Sequence, residues 1–317
     1  MVSPDAEVDI DAALVQAVLE EQHPDLAALP LSRLDAGWDN AMWRLGPDLI
    51  VRLPRRAVAV TLALREQRWL PPLAPSLPLP VPSAVRVGRP SDRFAWPWSI
   101  VPWIDGQPGD RAVLRHADRS AALLGGFLRA LHRPAPADAP HNPYRGVPLA
   151  QRAATVEDRL VQLADEIDAV AVRRVWEQAC ATPAWTAPPV WLHGDLHPAN
   201  LLVDDGVLVG IIDFGDICAG DPATDLAAAW MLLPSTSMPA FRAAYGGVDV
   251  ALEHRGKGWA ALFGLMLLAI GLDDKPTYAP IGRATLARVT GASPTWPAAP
   301  VGATPSRSLR SAPGEPT

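Results

Sequence analysis

At 317 residues, the chain can build two lobes or one large domain with an adequate core. Apolar residues make up 49% and charged residues 20%, the balance of a soluble globule, and a formal net charge of -6 argues against a nucleic-acid partner while saying little about a small substrate. Cys180 and Cys218 are too few for a disulfide scaffold or a four-cysteine zinc site, and residues 1–20 hold no basic start followed by an apolar core, so no signal peptide is visible and the cytoplasm is the expected location.

Residues 8–29 carry apolar positions at helical spacing and stop at Pro30, which predicts a first helix. Strand-like segments follow at 32–34, 41–45 and 49–53. The first two are joined by Asp35-Ala36-Gly37-Trp38-Asp39-Asn40, whose small and turn-forming residues suit either a backbone bent closely over a phosphate or an ordinary β-turn. Arg52 ends the third strand, and Glu66 sits in a helical stretch, 60–70. Further strands read at 81–87 and 98–104. Pro102 breaks the latter, because it cannot donate to a ladder and belongs at an edge or where a sheet ends.

Helical spacing returns over 112–131, where the Gly125-Gly126 pair suggests close approach by another element. A proline-rich loop, 134–148, carries Tyr144 and Arg145, and 149–180 reads as one long helix or two. Glu157, Asp158, Asp165, Glu166 and Asp168 give that stretch an acidic face. After position 216, Gly220-Asp221-Pro222 opens a helix over 223–233, with Asp221 able to cap its free amides. Helices are also expected at 238–245, 253–270 and 281–289. The apolar run near 259–272 is too short to span a bilayer and reads as a buried helix, so no membrane partner is expected. From 291 onward, proline, serine, alanine and threonine predict a disordered tail.

The informative stretch is WLHGDLHPANLLVDDGVLVGIIDFGD, residues 191–216. Two short apolar runs flank Asp204-Asp205-Gly206, a hairpin signal with a tight Asp-Gly turn. Folding of the hairpin would bring Asp195 and Asn200, which precede it, to the same end as Asp213, which follows it. Two carboxylates and an amide oxygen beside a glycine-containing turn suit phosphoryl transfer, one group orienting the attacking hydroxyl and the others holding magnesium.

HGDLHPAN followed by IIDFGD, and then GDPATDLA, resembles the catalytic and metal-binding signature of the aminoglycoside phosphotransferase family. The resemblance covers about residues 30–290. It implies an α+β, bilobal, protein-kinase-like fold, with an N-terminal antiparallel β-sheet lobe and a mostly helical C-terminal lobe. The expected division is a nucleotide-binding lobe with connector at 1–104, a catalytic and acceptor lobe at 105–290, and the tail at 291–317. The implied reaction moves the γ-phosphoryl group of ATP or GTP, with Mg2+, to a hydroxyl of a small molecule. A natural-product antibiotic such as an aminoglycoside or macrolide is the expected acceptor, with choline-like, homoserine-like or sugar hydroxyls as the metabolic alternative. The expected enzyme is a monomer or homodimer.

Carried over residue by residue, the resemblance makes Asp195 the catalytic base and places His197 where protein kinases put a lysine beside the γ-phosphate. Asn200 and Asp213 become the magnesium ligands. Gly37 and Asn40 lie in the nucleotide-covering loop, Arg52 and Glu66 form the phosphate clamp, and VPWIDG is the connector. There the Pro102 carbonyl and the Ile104 N–H would face the base, with Trp103 as cover or acceptor contact. His193, Phe214, Asp221 and Asp225 would support the loops, and Asp273 and Asp274 would lie where relatives close the acceptor site. The acidic face at 157–168 is either an ordinary solvated helix surface or, as in relatives that take cationic antibiotics, a holder of substrate ammonium groups, whereas Trp96, Trp98 and Trp103 favour a pocket with large flat walls unless they fill the core. Three rivals fit less well. A zinc hydrolase would use His193, Asp195 and His197 as ligands but leaves Asn200 and the hairpin unexplained. A protein kinase needs an activation segment for which GDICAGDPATDL has no room, and a nucleotide-binding pseudoenzyme would be expected to lose one of Asp195, Asn200 or Asp213.

Overall fold

The structure is a computed structural model that describes residues 6–34 and 37–292. Asp35, Ala36 and nearly all of the expected tail lie outside the described residues. The first helix, α1 (Ala12–Gln22), starts where Asp11 accepts a hydrogen bond from the Leu14 N–H at 2.8 Å. It stops well short of Pro30, because Pro24 disfavours helical backbone at His23 and cannot donate to a continuing helix.

Five strands follow: β1 (Leu31–Arg33), β2 (Asn40–Leu45), β3 (Leu49–Pro54), β4 (Arg86–Gly88) and β5 (Trp98–Pro102). They form an antiparallel sheet in the order β1-β2-β3-β5-β4. Side-chain alternation divides its faces. Ala41, Trp43, Leu45, Val51 and Leu53 bury one face against α1 residues Val15, Val18 and Leu19. Asn40, Met42, Ile50 and Arg52 turn the other face toward a cleft. The strand expected over 81–87 shrinks to β4, since Pro80 and Pro82 lack the N–H groups a ladder needs. Pro102 does end β5. The helix α2 (Ala57–Leu73) carries Glu66 past the sheet and sinks Leu70 and Leu73 into the core of the second lobe.

The second lobe contains α3 (Ala117–Leu131), α4 (Ala153–Gln162), α5 (Ala169–Ala181), α6 (Ala223–Leu232), α7 (Met238–Tyr245), α8 (Val250–Asp273) and α9 (Tyr278–Thr290). Residues 149–180 thus form two helices, the second restarted by Asp168, which accepts from the Ala171 N–H at 2.9 Å. Gly125 lets α7 pack against α3, as a Cβ there would stand 2.5 Å from the Phe241 carbonyl oxygen. The lobe's short strands are β6 (Gln107–Pro108), β7 (Val190–Leu192), β8 (Leu201–Asp204), β9 (Val207–Ile211) and β10 (Cys218–Gly220). β6-β8-β9 make one sheet, and β7 pairs with β10.

The apolar run expected to be too short for a bilayer belongs to a 24-residue helix, α8, which is long and apolar enough to cross one by length and composition. Capping by Asp249, which accepts from the Leu252 N–H at 2.6 Å, adds the extra turn. In its most apolar window, 72% of residues are buried inside the protein. α8 packs on α5, α6 and α9, so it is the central helix of the lobe core.

Candidate active site

The Asp205-Gly206 turn between β8 and β9 has φ of 44° and 76°, both positive as a type I′ hairpin requires. The hairpin carries Asn200 at its entry and Asp213 just beyond its exit, and the Ile212 N–H donates to the Asn200 carbonyl at 3.0 Å. Asp213 itself has φ 68°, a strained conformation for a residue with a side chain, and its carboxylate is largely exposed. The Asn200 side-chain NH2 donates to the Asp195 carbonyl at 2.9 Å, leaving the amide oxygen as the group able to ligate a cation.

The loop before the hairpin is held from behind. Both carboxylate oxygens of the fully buried Asp225 accept backbone N–H groups, from His193 at 2.7 Å and Gly194 at 2.9 Å. Gly194 is required, since its φ is +88° and a Cβ would lie 2.5 Å from the Asp216 carbonyl oxygen. His193 Nδ1 accepts from the Asp195 N–H at 3.2 Å while Nε2 donates to the Ile212 carbonyl at 3.0 Å. Its ring sits 4.4 Å from that of Phe214. With both nitrogens engaged, His193 is not placed to ligate zinc, and among the described residues no cluster of three His, Cys, Asp or Glu side chains forms a metal site. Asp221 accepts from the Ala223 N–H at 3.0 Å and from buried Arg255 Nε at 2.8 Å, anchoring α8 to the start of α6.

Asp195 is gripped on one side. Its Oδ1 accepts from Arg145 Nη2 at 2.9 Å, and its Oδ2 lies 3.5 Å from His197 Nε2. Burial alone would raise the Asp195 pKa, but the hydrogen bond to His197 and the Arg145 charge hold it well below the usual carboxylate range. Burial and then the Asp195 charge push neighbouring Asp216 up, partly offset by Arg145. The loop bearing Arg145 is pinned to β10 and α6. Ala219 N–H donates to Pro140 O at 2.9 Å, Asp221 N–H to Gly146 O at 3.0 Å, and Gly146 N–H to Thr224 Oγ1 at 3.1 Å.

From the first lobe, Arg52 Nη1 meets Glu66 Oε1 at 2.7 Å, and Nη2 comes within 4.0 Å of Asp213 Oδ1. Burial opposes both charges. It raises the Glu66 pKa despite Arg52, whereas at Arg52 the attraction of Glu66 and then Asp213 outweighs it and the pKa is raised. Gly37, Asp39 and Asn40 line the roof of the cleft, tied down by an Arg56–Asp39 ion pair of 2.6 Å. A Cβ at Gly37 would meet only the Asn40 carbonyl, at 3.6 Å, so the backbone itself does not demand glycine there. Pro102 and Ile104 line the rear, and the Ile104 N–H has no protein partner among the described residues. Together these groups border a cleft of about 690 Å³ between the lobes.

Several expected acceptor residues lie elsewhere. Asp273 and Asp274 end α8 and do not line the cleft, where Lys275 and Tyr278 stand instead. Of the acidic face, Glu157 pairs with Arg173, Glu166 with Arg283 and Asp168 caps α5, while Asp158 and Asp165 are exposed; none of the five lines the cleft. Trp98 is fully buried in the first-lobe core, and Trp96 packs edgewise on Phe94. Trp103 does line the cleft, its ring covered by Arg44 at 3.8 Å and its N–H given to Asp105 at 2.7 Å. Sequence reasoning missed Arg145, Arg152 and Lys275 as cleft residues, and no local pattern marks them.

A family profile described as "Phosphotransferase enzyme family" matches residues 30–261, well over half of the chain. The aminoglycoside 3'-phosphotransferase of Escherichia coli is 28% identical over 195 residues, spanning 59% of this chain and 69% of that protein. Its counterpart in Salmonella typhimurium is 27% identical over the same length and shares. Among solved structures, the GDP complex of wild-type aminoglycoside 2'-phosphotransferase-IIIa matches with TM-score 0.66 at 21% identity, covering 89% of this chain and 99% of that one. Apo macrolide 2'-phosphotransferase MphH from Brachybacterium faecium matches with TM-score 0.57 at 24% identity, covering 88% and 97%. At these identities the structural likeness establishes the fold.

Proposed function

Because the chain belongs to the phosphotransferase enzyme family, we propose that it transfers the γ-phosphoryl group of ATP or GTP to a hydroxyl of a small, antibiotic-like natural product. The observation that carries this reading is the convergence of Asp195, Asn200, Asp213 and the Arg52–Glu66 pair on one cleft, although they come from both lobes. The lobes divide after Ile104, with nucleotide on the sheet side and acceptor on the helical side.

Asp195 is the group that meets the acceptor. Arg145 occupies Oδ1, so Oδ2 is the oxygen left for the hydroxyl. There the O–H bond breaks with its proton passing to the carboxylate. The acceptor oxygen bonds to the γ-phosphorus, and the bridging P–O bond breaks to release the nucleoside diphosphate. A low pKa suits this residue, since positioning and charge stabilisation carry most of the barrier reduction. His197, beside Oδ2, supports the carboxylate and stands within reach of the transferred group.

Asn200 and Asp213 offer one amide oxygen and one exposed carboxylate, a hard oxygen donor set that would hold a magnesium ion. Such an ion would supply charge neutralisation to the phosphates. The Pro102 carbonyl and the free Ile104 N–H would take the edge of the base. Arg52, presented by β3 and oriented by Glu66, would hold the phosphates through its second NH2 group. Arg52→Ala should weaken nucleotide binding by ~1.5–3 kcal/mol, and Arg52→Lys should recover only part of it, since an ammonium lacks the planar fork. Steady-state nucleotide KM values equal to wild type in both variants would rule the clamp out.

The acceptor assignment is tested with a panel of aminoglycosides, macrolides, peptide and nucleoside antibiotics, choline and homoserine, each incubated with purified protein, magnesium and either nucleotide. Mass spectrometry should find one antibiotic heavier by a phosphoryl group, with its potency reduced. Phosphorylation confined to choline or homoserine would overturn the antibiotic assignment.

A further inference from the structure

The acceptor half of the cleft contains cations beyond Arg145, the one that grips the catalytic Asp195. Arg111, Arg145, Arg152 and Lys275 all line it. Arg145 is neutralised by Asp195 at 2.9 Å, and exposed Arg111 reaches Asp110 at 3.9 Å. Arg152 has no carboxylate within 4.0 Å among the described residues; it leans over the Tyr144 ring at 5.1 Å, and its Nε is buried without a hydrogen-bond partner. Lys275 is likewise held over aromatic rings, Trp38 at 4.6 Å and Tyr278 at 5.5 Å, and neither Asp274 nor Asp39 comes within 4.0 Å of it. Burial lowers the pKa of both groups; at Arg152 the neighbouring Arg145 charge lowers it further, whereas at Lys275 the Asp274 and Asp39 charges partly offset the burial. A guanidinium such as Arg152, partly withdrawn from water with no carboxylate beside it, is disfavoured until an anion joins it.

The carboxylates on this side offer little to a cationic ligand. The Asp110 side chain is 2% exposed, Asp195 is already paired, and Asp216 accepts from Asn142 Nδ2 at 2.8 Å. Between the cations, α8 lays down an apolar floor of Leu262, Phe263, Met266, Leu267 and Ile270. Resting on the reading of this cleft as the phosphotransferase site, we propose that the acceptor is an amphipathic hydroxylated molecule. Its apolar body lies on α8 and its single anionic group, a carboxylate or sulfonate-like oxyanion, is held by the Arg152 guanidinium. A polycationic aminoglycoside would meet this field with repulsion rather than pairing.

Two fluorescent probes with the same aromatic body separate the parts of this proposal: anilinonaphthalene sulfonate, which is anionic, and N-phenylnaphthylamine, which is neutral. Each is titrated into the full chain with the nucleotide subsite filled by MgADP, whose own binding is followed by calorimetry. The sulfonate should bind one-to-one and at least about 10-fold more tightly than the neutral probe, a difference of ~1.4 kcal/mol. Arg152→Gln should abolish that preference while leaving the neutral probe's affinity unchanged, and excess kanamycin should displace neither probe. Equal affinity for the two probes, failure of both to bind, a preference that survives Arg152→Gln, or displacement by kanamycin would each overturn the proposal. MgADP binding without the sulfonate preference refutes this inference alone. Absence of MgADP binding refutes the phosphotransferase reading beneath it.

Discussion

Asp195→Ala is expected to lower turnover by roughly 10²- to 10⁴-fold, the range a positioned proton acceptor supplies. The effect should fall on the chemical step, because the proposed mechanism sets Asp195 against the acceptor hydroxyl, and its side-chain contacts are with Arg145 and His197 rather than the Arg52–Glu66 pair. The variant also releases Arg145, whose guanidinium would then stand beside the reacting oxygens without its 2.9 Å partner. Asp195→Asn keeps the shape and one acceptor oxygen but loses the charge, so it should be impaired nearly as severely. Rapid-quench measurement of the first turnover separates chemistry from release. A first-turnover rate within about two-fold of wild type would remove Asp195 from the catalytic role.

Asp225→Ala should produce the largest loss of stability. It strands the His193 and Gly194 N–H groups in a buried site and removes the carboxylate that lies 3.3 Å from His132 Nε2. Each hydrogen bond to a charged acceptor is worth ~1.5–3 kcal/mol, and an unsatisfied buried donor costs ~1–3 kcal/mol. After partial relaxation, a net loss of ~3–5 kcal/mol is expected in denaturant titration. Asp225→Asn should fall between, as one of its two acceptor positions becomes a donor facing another donor. The same variants should speed amide exchange at His193 and Gly194. A loss below about 1 kcal/mol for Asp225→Ala would mean that the loop is held by other contacts.

Expectations that held depended on chemistry carried by neighbours in sequence. Asp205-Gly206 can form a type I′ turn whatever surrounds it, and the apolar runs on either side then pair as a hairpin, with a register shift between Leu202 and Val203. The alternation at 40–45 and 49–53 likewise fixes which face of the sheet carries Arg52. Where a single proline outweighed a broad pattern, the local reading slipped. Pro24 shortened α1, and Pro80 with Pro82 reduced a seven-residue strand to three.

Partners distant in sequence were legible only where the resemblance supplied them, as for Asp225 with the His193 loop, His193 with Phe214 and Arg52 with Glu66. Arg145 reaches Asp195 across 50 residues, His132 approaches Asp225 across 93, and Arg255 meets Asp221 across 34. Nothing in the periodicity around an arginine says which carboxylate it will neutralise. The same holds for the acidic face: Glu157 and Glu166 found arginines on α5 and α9, and a count of charges along one helix contains no information about those partners. Composition also misled about tryptophan, since Trp98 fills the first-lobe core rather than the cleft wall. The wall of the cleft built by Arg145, Arg152 and α8 is therefore the part that only the folded arrangement discloses.

In the proposed mechanism the two aspartates flanking the hairpin divide the work, Asp195 serving the acceptor and Asp213 the nucleotide with its magnesium. Calorimetric titration of MgATP and MgGTP into wild type, Asp195→Ala and Asp213→Ala tests it directly. The account predicts that Asp195→Ala binds the preferred nucleotide within about two-fold of wild type, while Asp213→Ala weakens it by at least about 10-fold, or ~1.4 kcal/mol. Equal loss of nucleotide affinity in the two variants would contradict it.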